Sequence, residues 1–418
     1  MHTRHVPPNV SVIGGGILGL TMACTLLKQG FSVTLIDGEG VAGRASSATA
    51  GIIGGSSVIP WASTNLWMNV PRMLRNPDGP LRVIWPPSKN ILPFIFKSIK
   101  AGTSRHRIKS AKGLAELGLR GWKAWMRLSN DYPELKSLFN QNGCLLYYSN
   151  PQENYYDSAN NMKRREMGMR LMPLGSQEIQ DLLPSVTHPK PSGTLIEQAG
   201  NINDPILFQS TLKDLIKKAG GTFVCQKALG FITEAEHVRA VKTRLGNIDC
   251  DAAIICAGAG SAALSRKLST KACILPAWGA SITLHEAEII LKLPLLNQIS
   301  GIAVLPNLDG LRVAGLLQLG GRSKHREELM EKILLRYVQK LFGHFPYQRL
   351  SGQFGPRPLT PDSLPVLGSA PNYKNAYFNF GHGHWGITHA AISANIIVDL
   401  IIDGTSKIDI TPYKPDRF

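Results

Sequence analysis

The chain has 418 residues, 43% of them apolar, which supports packed cores in two or three domains and excludes a disordered or low-complexity protein. Its 46 Lys and Arg against 29 Asp and Glu leave a formal charge of +17, so an anionic surface or partner is worth seeking. No run of about 18 apolar residues occurs, which argues against a membrane-spanning helix; the nearest approach, 392–402, is interrupted by Asn395 and Asp399.

In chain order, residues 1–9 lack the apolar core of a secretory signal and lead straight into a strand at Val10–Ile13. Gly14-x-Gly16-x-x-Gly19 then opens a helix over Ile17–Lys28, Gly30 ends it, and Phe31–Ile36 is a second strand closed by Asp37. A Gly-x-Gly-x-x-Gly turn between strand and helix, with an acid 21 residues after Gly16, is the pattern of a dinucleotide site. Gly14 permits the tight turn, Gly16 lets a pyrophosphate approach, and Gly19 lets helix and strand pack. The backbone N–H groups of Ile17 and Leu18 stand at the helix N-terminus, and Asp37 is placed to accept from a ribose.

Residues 66–130 read as helical with Pro-rich breaks and carry 13 Lys and Arg against Asp78 and Glu116, a net +11. Interleaved with them are Trp67, Trp85, Trp122 and the run Ile91–Phe96, a composition that suits an anionic bilayer surface or a solvated helix face. A nucleic-acid groove is the less favoured third reading. A strand follows at 143–148, then helices at 154–169, 176–183 and 204–219, the last with Asp204 as N-cap and Pro205 in the first turn. Strands follow at 222–226 and 252–256, with a hairpin at 230–243 between them; 278–284, 302–306 and 311–317 are further strands. An amphipathic helix at 327–342, a strand at 377–380 and a helix at 387–402 complete the chain. Six scattered cysteines without a C-x-x-C pair read as thiols of a reducing compartment, so a cytoplasmic location is expected. No metal-ligand pattern is visible.

Three segments resemble one family. Arg44-Ala-Ser-Ser-Ala-Thr-Ala-Gly-Ile-Ile53 is similar to its flavin-crossing loop. Gly355-Pro-Arg-Pro-Leu-Thr-Pro-Asp-Ser-Leu-Pro-Val-Leu-Gly368 is similar to its Gly-x-Arg-Pro-x-Thr-x-Asp-Gly signature, with Ser363 where glycine is usual. Gly381-His-Gly-His-Trp-Gly-Ile-Thr388 is similar to its C-terminal flavin-binding turn. The chain thus resembles, along nearly its whole length, the D-amino acid oxidase (DAO) family of FAD-dependent oxidoreductases. Within that family it is most like the small subunit of bacterial D-amino acid dehydrogenases.

The resemblance implies an α/β fold with a split Rossmann-type FAD-binding domain (9–65, 200–270 and 351–408). Interleaved with it is a substrate domain on a mostly antiparallel sheet (66–199 and 271–350). It implies non-covalent FAD, since the C-terminal signature holds no cysteine to tether a flavin. Expected around the cofactor are Gly14, Gly16, Ile17, Leu18, Gly19 and Asp37, then Ser46, Ser47, Ala50, Gly51 and Ile53 of the crossing loop. Ala228, Ala257 and Gly258 follow, then Gly381, Gly383, Gly386, Ile387 and Thr388 of the C-terminal turn. Arg357 stands where the family holds the substrate carboxylate, as a bidentate fork or, alternatively, as a structural partner of Asp362. His384 is a candidate to take the ammonium proton, or else packs on Trp385. Tyr147 and Tyr148 alternate along one strand, so only one can face a pocket, and Tyr148 is the preferred candidate. Trp61 and Trp278 are expected in the core.

The activity implied is oxidation of a D-amino acid or a cyclic imino acid by hydride transfer from the α-carbon to flavin N5. Electrons would pass to a quinone-type acceptor, with the enzyme peripheral on the inner face of the cytoplasmic membrane. The alternatives are an oxidase acting on glycine or sarcosine with O2, and a tRNA-modifying amine oxidase.

Overall fold

Asn9–Ile13 forms an inner strand of a six-stranded sheet in the computed structural model, which describes residues 8–38, 44–54, 58–61, 79, 81–83, 91–320 and 323–417. The order across this sheet is Thr222–Val224, Ser32–Ile36, Asn9–Ile13, Ala252–Ile255, Ala376–Phe380 and Val366–Ser369. The first five strands run parallel and the last antiparallel. Strands from the two ends and the middle of the chain therefore meet side by side, as a Rossmann unit split by insertions requires. The inner strands are buried on both faces, which is why they read as continuous apolar runs.

A second sheet of nine strands carries the inserted portion. Its long members Arg349–Leu359, Leu275–His285, Gly310–Leu319 and Ile302–Asn307 pair antiparallel in that order. Leu295–Asn297 joins Cys144–Tyr148 in a parallel pairing, and Ser192–Ile196 and Leu171–Leu174 extend the sheet antiparallel beyond it. Helix Lys324–Phe342 covers one face with Met330, Ile333, Leu334 and Val338.

Two segments sit elsewhere than expected. Residues 351–359, expected with the nucleotide portion, lie in strand Arg349–Leu359, which pairs along its whole length with Leu275–His285 and belongs to the second sheet. Helix Ser104–Asp131, expected in the substrate portion, buries Leu114, Leu117, Trp122, Trp125 and Leu128 in the core that Leu20, Leu26, Ala390 and Ile397 share. Its basic residues lie on the opposite face, so charge alone did not reveal where the helix packs.

Helix Gly386–Asp403 is long and apolar enough by composition to cross a bilayer, contrary to the expectation that no such segment exists. Most of it is buried in that same core against helices Ile17–Lys28 and Ser104–Asp131, as a central helix of a folded domain would be. Two contacts fix its first turn. Trp125 Nε1 donates to the Ile387 carbonyl at 2.7 Å, and Gly121 lies so close that a β-carbon there would stand 2.2 Å from the Thr388 carbonyl oxygen.

Candidate active site

A cavity of about 1150 Å³ runs between the two sheets. One end is built by Gly14, Gly16, Asp37, Gly38, Lys227 and Cys256–Gly260. The middle is walled by Ser46, Thr49, Ala50 and Ile52 on one side and by Gly383–Thr388 on another. The far end belongs to the second sheet and includes Trp278, Leu296, Gln298 and Arg357, with Asn160 and Trp61 beside them.

The first end has the closeness that the glycine pattern predicts. A β-carbon on Gly19 would stand 1.8 Å from the Gly14 carbonyl oxygen, and one on Gly14 2.5 Å from that of Cys256. Asp37 Oδ2 accepts from the Gly15 N–H at 2.6 Å, so the acid is tied to the glycine turn while lining the cavity. Ser46 Oγ accepts from the Ile17 N–H at 2.9 Å, binding the crossing loop to the helix start. That backbone donor, expected to meet a phosphate, is therefore already engaged.

Of the other expected residues, Leu18, Ala50, Ala257, Gly258, Gly383, Gly386, Ile387 and Thr388 are on the cavity wall. Gly19, Ser47, Gly51, Ile53, Ala228 and Gly381 are not. Gly19 is consumed by packing, Ile53 points into the core, and Ala228 belongs to a separate apolar cluster. Gly51 and Gly381 are turn residues at φ +89° and +79°. Ile52, between Gly51 and Ile53, and Lys227, beside Ala228, line the cavity instead, a shift of one residue that sequence alone does not resolve.

Ser47 takes part indirectly, through a residue that the sequence reading missed. Arg312 is buried in the second sheet, and its guanidinium donates to the carbonyls of Ser47 (2.5 Å) and Thr49 (2.9 Å) and to the hydroxyls of Ser281 (2.7 Å) and Thr283 (3.2 Å). Burial lowers its pKa to about 10, with Asp204 opposing, so it stays charged at neutral pH. The substrate sheet thus holds the crossing loop in place by one cation.

Arg357 is at the far end. Its Nη1 donates to the Leu316 carbonyl at 2.6 Å and its Nη2 to that of Gly315 at 3.3 Å. No carboxylate bonds to it among the described residues, and enclosure lowers its pKa only to about 10. The alternative pairing with Asp362 is not formed, because Asp362 is taken by Arg417 in a two-pronged contact at 2.8 and 3.2 Å. The guanidinium lies across Gly279, where a β-carbon would come within 2.2 Å of it. Gly279→Ala should therefore push the fork off its carbonyl anchors and raise KM at least tenfold. A KM within twofold of the parent would show that the fork tolerates displacement.

Ser363 replaces the usual glycine yet keeps a glycine-like φ of +71°. The conformation costs roughly 1–2 kcal/mol for a residue with a β-carbon. Its Oγ accepts from the Trp61 N–H at 3.0 Å, a contact glycine cannot make. Trp61 also donates from Nε1 to the Thr360 carbonyl at 3.2 Å and stacks on Phe94 at 5.7 Å. Trp61 and Trp278, expected in the core, both line the cavity.

His384 faces the cavity and also packs edge-on against Trp385 at 6.0 Å. The residue is exposed on its cavity side, while protein packs around the rest of the ring. Enclosure, and then the positive Arg357, lower its pKa to about 3. A pKa so low makes it a weak base, and this argues against its expected role as acceptor of the ammonium proton.

Tyr148 does not reach the cavity, and neither does Tyr147. Their strand is covered on both faces, so alternation sends one side chain into each of two cores. Tyr147 meets His188 at 2.8 Å, while Tyr148 donates to Asp157, the buried partner of Arg164.

The residues present fit a flavin dinucleotide. Apart from their own chain neighbours and helix backbone, no described atom lies within 4 Å of where a β-carbon on Gly258 would stand, and the nearest to one on Gly386 is 4.0 Å away. Side chains at either place would grow into the cavity. The N-terminus of helix Gly386–Asp403 offers its dipole there, held by Trp125.

The family model described as FAD dependent oxidoreductase (DAO) matches residues 9–400. A D-amino-acid oxidase of Bradyrhizobium diazoefficiens is 29% identical over 98% of this chain and 99% of its own length. A D-amino acid dehydrogenase of Vibrio cholerae is 26% identical over 96% of each. Among solved structures, glycine oxidase of Geobacillus kaustophilus superposes with a TM-score of 0.73 at 17% identity, covering 98% of this chain and 99% of that one. With the split Rossmann sheet, the glycine-lined cavity and a family match over nearly the whole length, the chain belongs to the DAO family of FAD-dependent oxidoreductases, which act on amino acids.

Proposed function

We propose that the protein oxidises a D-amino acid or cyclic imino acid and passes the electrons to a quinone-type acceptor at an anionic membrane surface. The observation that carries the substrate reading is Arg357, a guanidinium anchored by carbonyls and open to the cavity end farthest from the nucleotide glycines. Its fork suits a carboxylate. Bound FAD would supply the redox chemistry, accepting the hydride from the α-carbon.

The protein's part is orientation and desolvation. Arg357 holds the carboxylate, and the Trp61 and Trp278 walls exclude water around the carbon to be oxidised. Among the described residues lining this end there is no carboxylate, since Asp37 lies with the nucleotide glycines. An ammonium group entering the cavity finds no counter-charge, which favours the neutral amine that hydride loss requires.

His384, neutral from burial and from Arg357, takes up no proton over the working range. The acidic limb of the rate–pH profile should therefore belong to the substrate amine. His384→Asn should leave that limb in place over roughly pH 6–9. A limb that moves towards the amine's solution pKa in the variant would return the proton-accepting role to His384.

The membrane reading is supported by helix Ile91–Ala101, whose Ile91, Phe94, Ser98 and Ala101 pack inward. Leu92 and Phe96 on the other face are 62% and 72% exposed, and Ile99 and Lys100 are exposed beside them. Exposed Arg105, Ile108 and Lys109 continue the surface onto the next helix. Apolar groups ringed by cations fit an anionic headgroup layer, each cation adding about 1 kcal/mol there. Trp67, Trp85, Arg72, Arg75 and Lys89 of the basic stretch lie outside the described residues.

Replacing Leu92 and Phe96 with Ser, and Lys100, Arg105 and Lys109 with Gln, should abolish binding to phosphatidylserine vesicles while dye-linked turnover persists. Failure of the parent to bind such vesicles at low salt would remove the membrane from the account. Stoichiometric peroxide release under air, with no quinone reduction, would instead favour the oxidase alternative.

A further inference from the structure

A buried acidic group lies behind the cavity wall, bonded to one of the residues that line it. Asp157, Asn160, Asn161 and Arg164 share one face of helix Pro151–Glu166 at helical spacing. Asp157 and Arg164, 3% and 0% exposed, form an ion pair at 2.6 Å, and the Tyr148 hydroxyl donates to the same Asp157 oxygen. Arg164 is further held by Asn161 Oδ1 at 2.5 Å. The other Asp157 oxygen accepts from Asn160 Nδ2 at 2.7 Å. Asn160 itself is half-buried and lines the cavity with Leu296 and Gln298.

This chain of contacts fixes which way the Asn160 amide points. A carboxylate only accepts, so Asn160 must present its NH2 group to Asp157. Its carbonyl oxygen is thereby turned off Asp157, and no partner bonds to it among the described residues. The wall offers a hydrogen-bond acceptor with a set orientation and no net charge, because the carboxylate behind it is matched by Arg164.

We propose that Asn160 is a specificity-determining residue that selects substrates whose side chain carries an uncharged hydrogen-bond donor, such as an amide or a hydroxyl. Tyr148, Asp157 and Arg164 are its positioning residues. The assignment rests on the amino-acid reading of the cavity and deepens it. An acidic side chain meets the lone pairs of the Asn160 oxygen, and an ammonium finds no carboxylate on the wall. An apolar side chain leaves the oxygen without the hydrogen bond its orientation prepares, the kind of mismatch that polar pockets discriminate against most strongly.

The test is anaerobic flavin reduction by the FAD-loaded protein with size-matched pairs, D-asparagine against D-leucine and D-threonine against D-valine. The parent should favour the polar member of each pair at least tenfold in kcat/KM. Asn160→Leu should bring both ratios to within twofold of unity or invert them. Tyr148→Phe, which removes one grip on Asp157, should raise KM for D-asparagine several-fold with kcat retained, a split that general unfolding would not produce. Equal reduction by both members in the parent, or an unchanged ratio in Asn160→Leu, overturns the role of Asn160 while leaving the amino-acid reading intact. A flavin that none of a wider amino-acid panel reduces contradicts the amino-acid reading itself, and the inference with it.

Discussion

Arg357→Lys is expected to lower kcat/KM by roughly 10- to 150-fold while leaving the flavin spectrum in place. The figure corresponds to the roughly 1.5–3 kcal/mol of a charge-assisted contact. Lysine keeps the charge but cannot bond both backbone carbonyls and still offer a fork to a carboxylate. The loss should fall on KM as well as kcat, because the carboxylate grip also aims the α-carbon. Catalytic efficiency within twofold of the parent would remove Arg357 from the substrate site.

Arg312→Met should weaken FAD binding at least tenfold, measured as fluorescence quenching when FAD is titrated into apoprotein. Methionine preserves much of the side-chain volume but removes the donors to the Ser47 and Thr49 carbonyls. Each hydrogen bond from a charged group contributes on the order of 1.5–3 kcal/mol, and the carbonyls left behind have lost their partner. The loop that carries Ser46 and Ala50 to the cavity wall then loses its tie to the second sheet. An FAD dissociation constant within twofold of the parent would show that the loop holds itself.

These two arginines mark what was legible in the sequence and what was not. Arg357 could be found because it sits in a local signature, Gly-Pro-Arg-Pro, that resembles the family's. The glycine turn, the helix it opens and Asp37 were legible for the same reason, since their geometry follows from neighbours within about 30 residues. Arg312 has no such signature. It acts on a loop some 260 residues away in the chain, and only the packing of the two sheets brings them together.

Tyr148 shows a different limit. Strand alternation correctly separates it from Tyr147, but alternation cannot say that both faces of the strand are covered. Trp61 and Trp278 failed in the opposite sense, because a large apolar ring reads as core until the cavity it borders is known. Residues 351–359 were expected with the nucleotide portion, but they lie in strand Arg349–Leu359 of the second sheet. Its partner is chosen by a ladder with Leu275–His285, which local sequence does not specify.

The most direct test of the account is the absorbance of the purified protein, recorded aerobically and then anaerobically against a panel of D-amino acids and cyclic imino acids. The account predicts a flavin spectrum, FAD released intact by heat or acid, and bleaching by at least one panel member that Arg357→Lys slows sharply. A protein that binds FAD yet is bleached by no amino or imino acid, or one bleached equally well after Arg357→Lys, would contradict it.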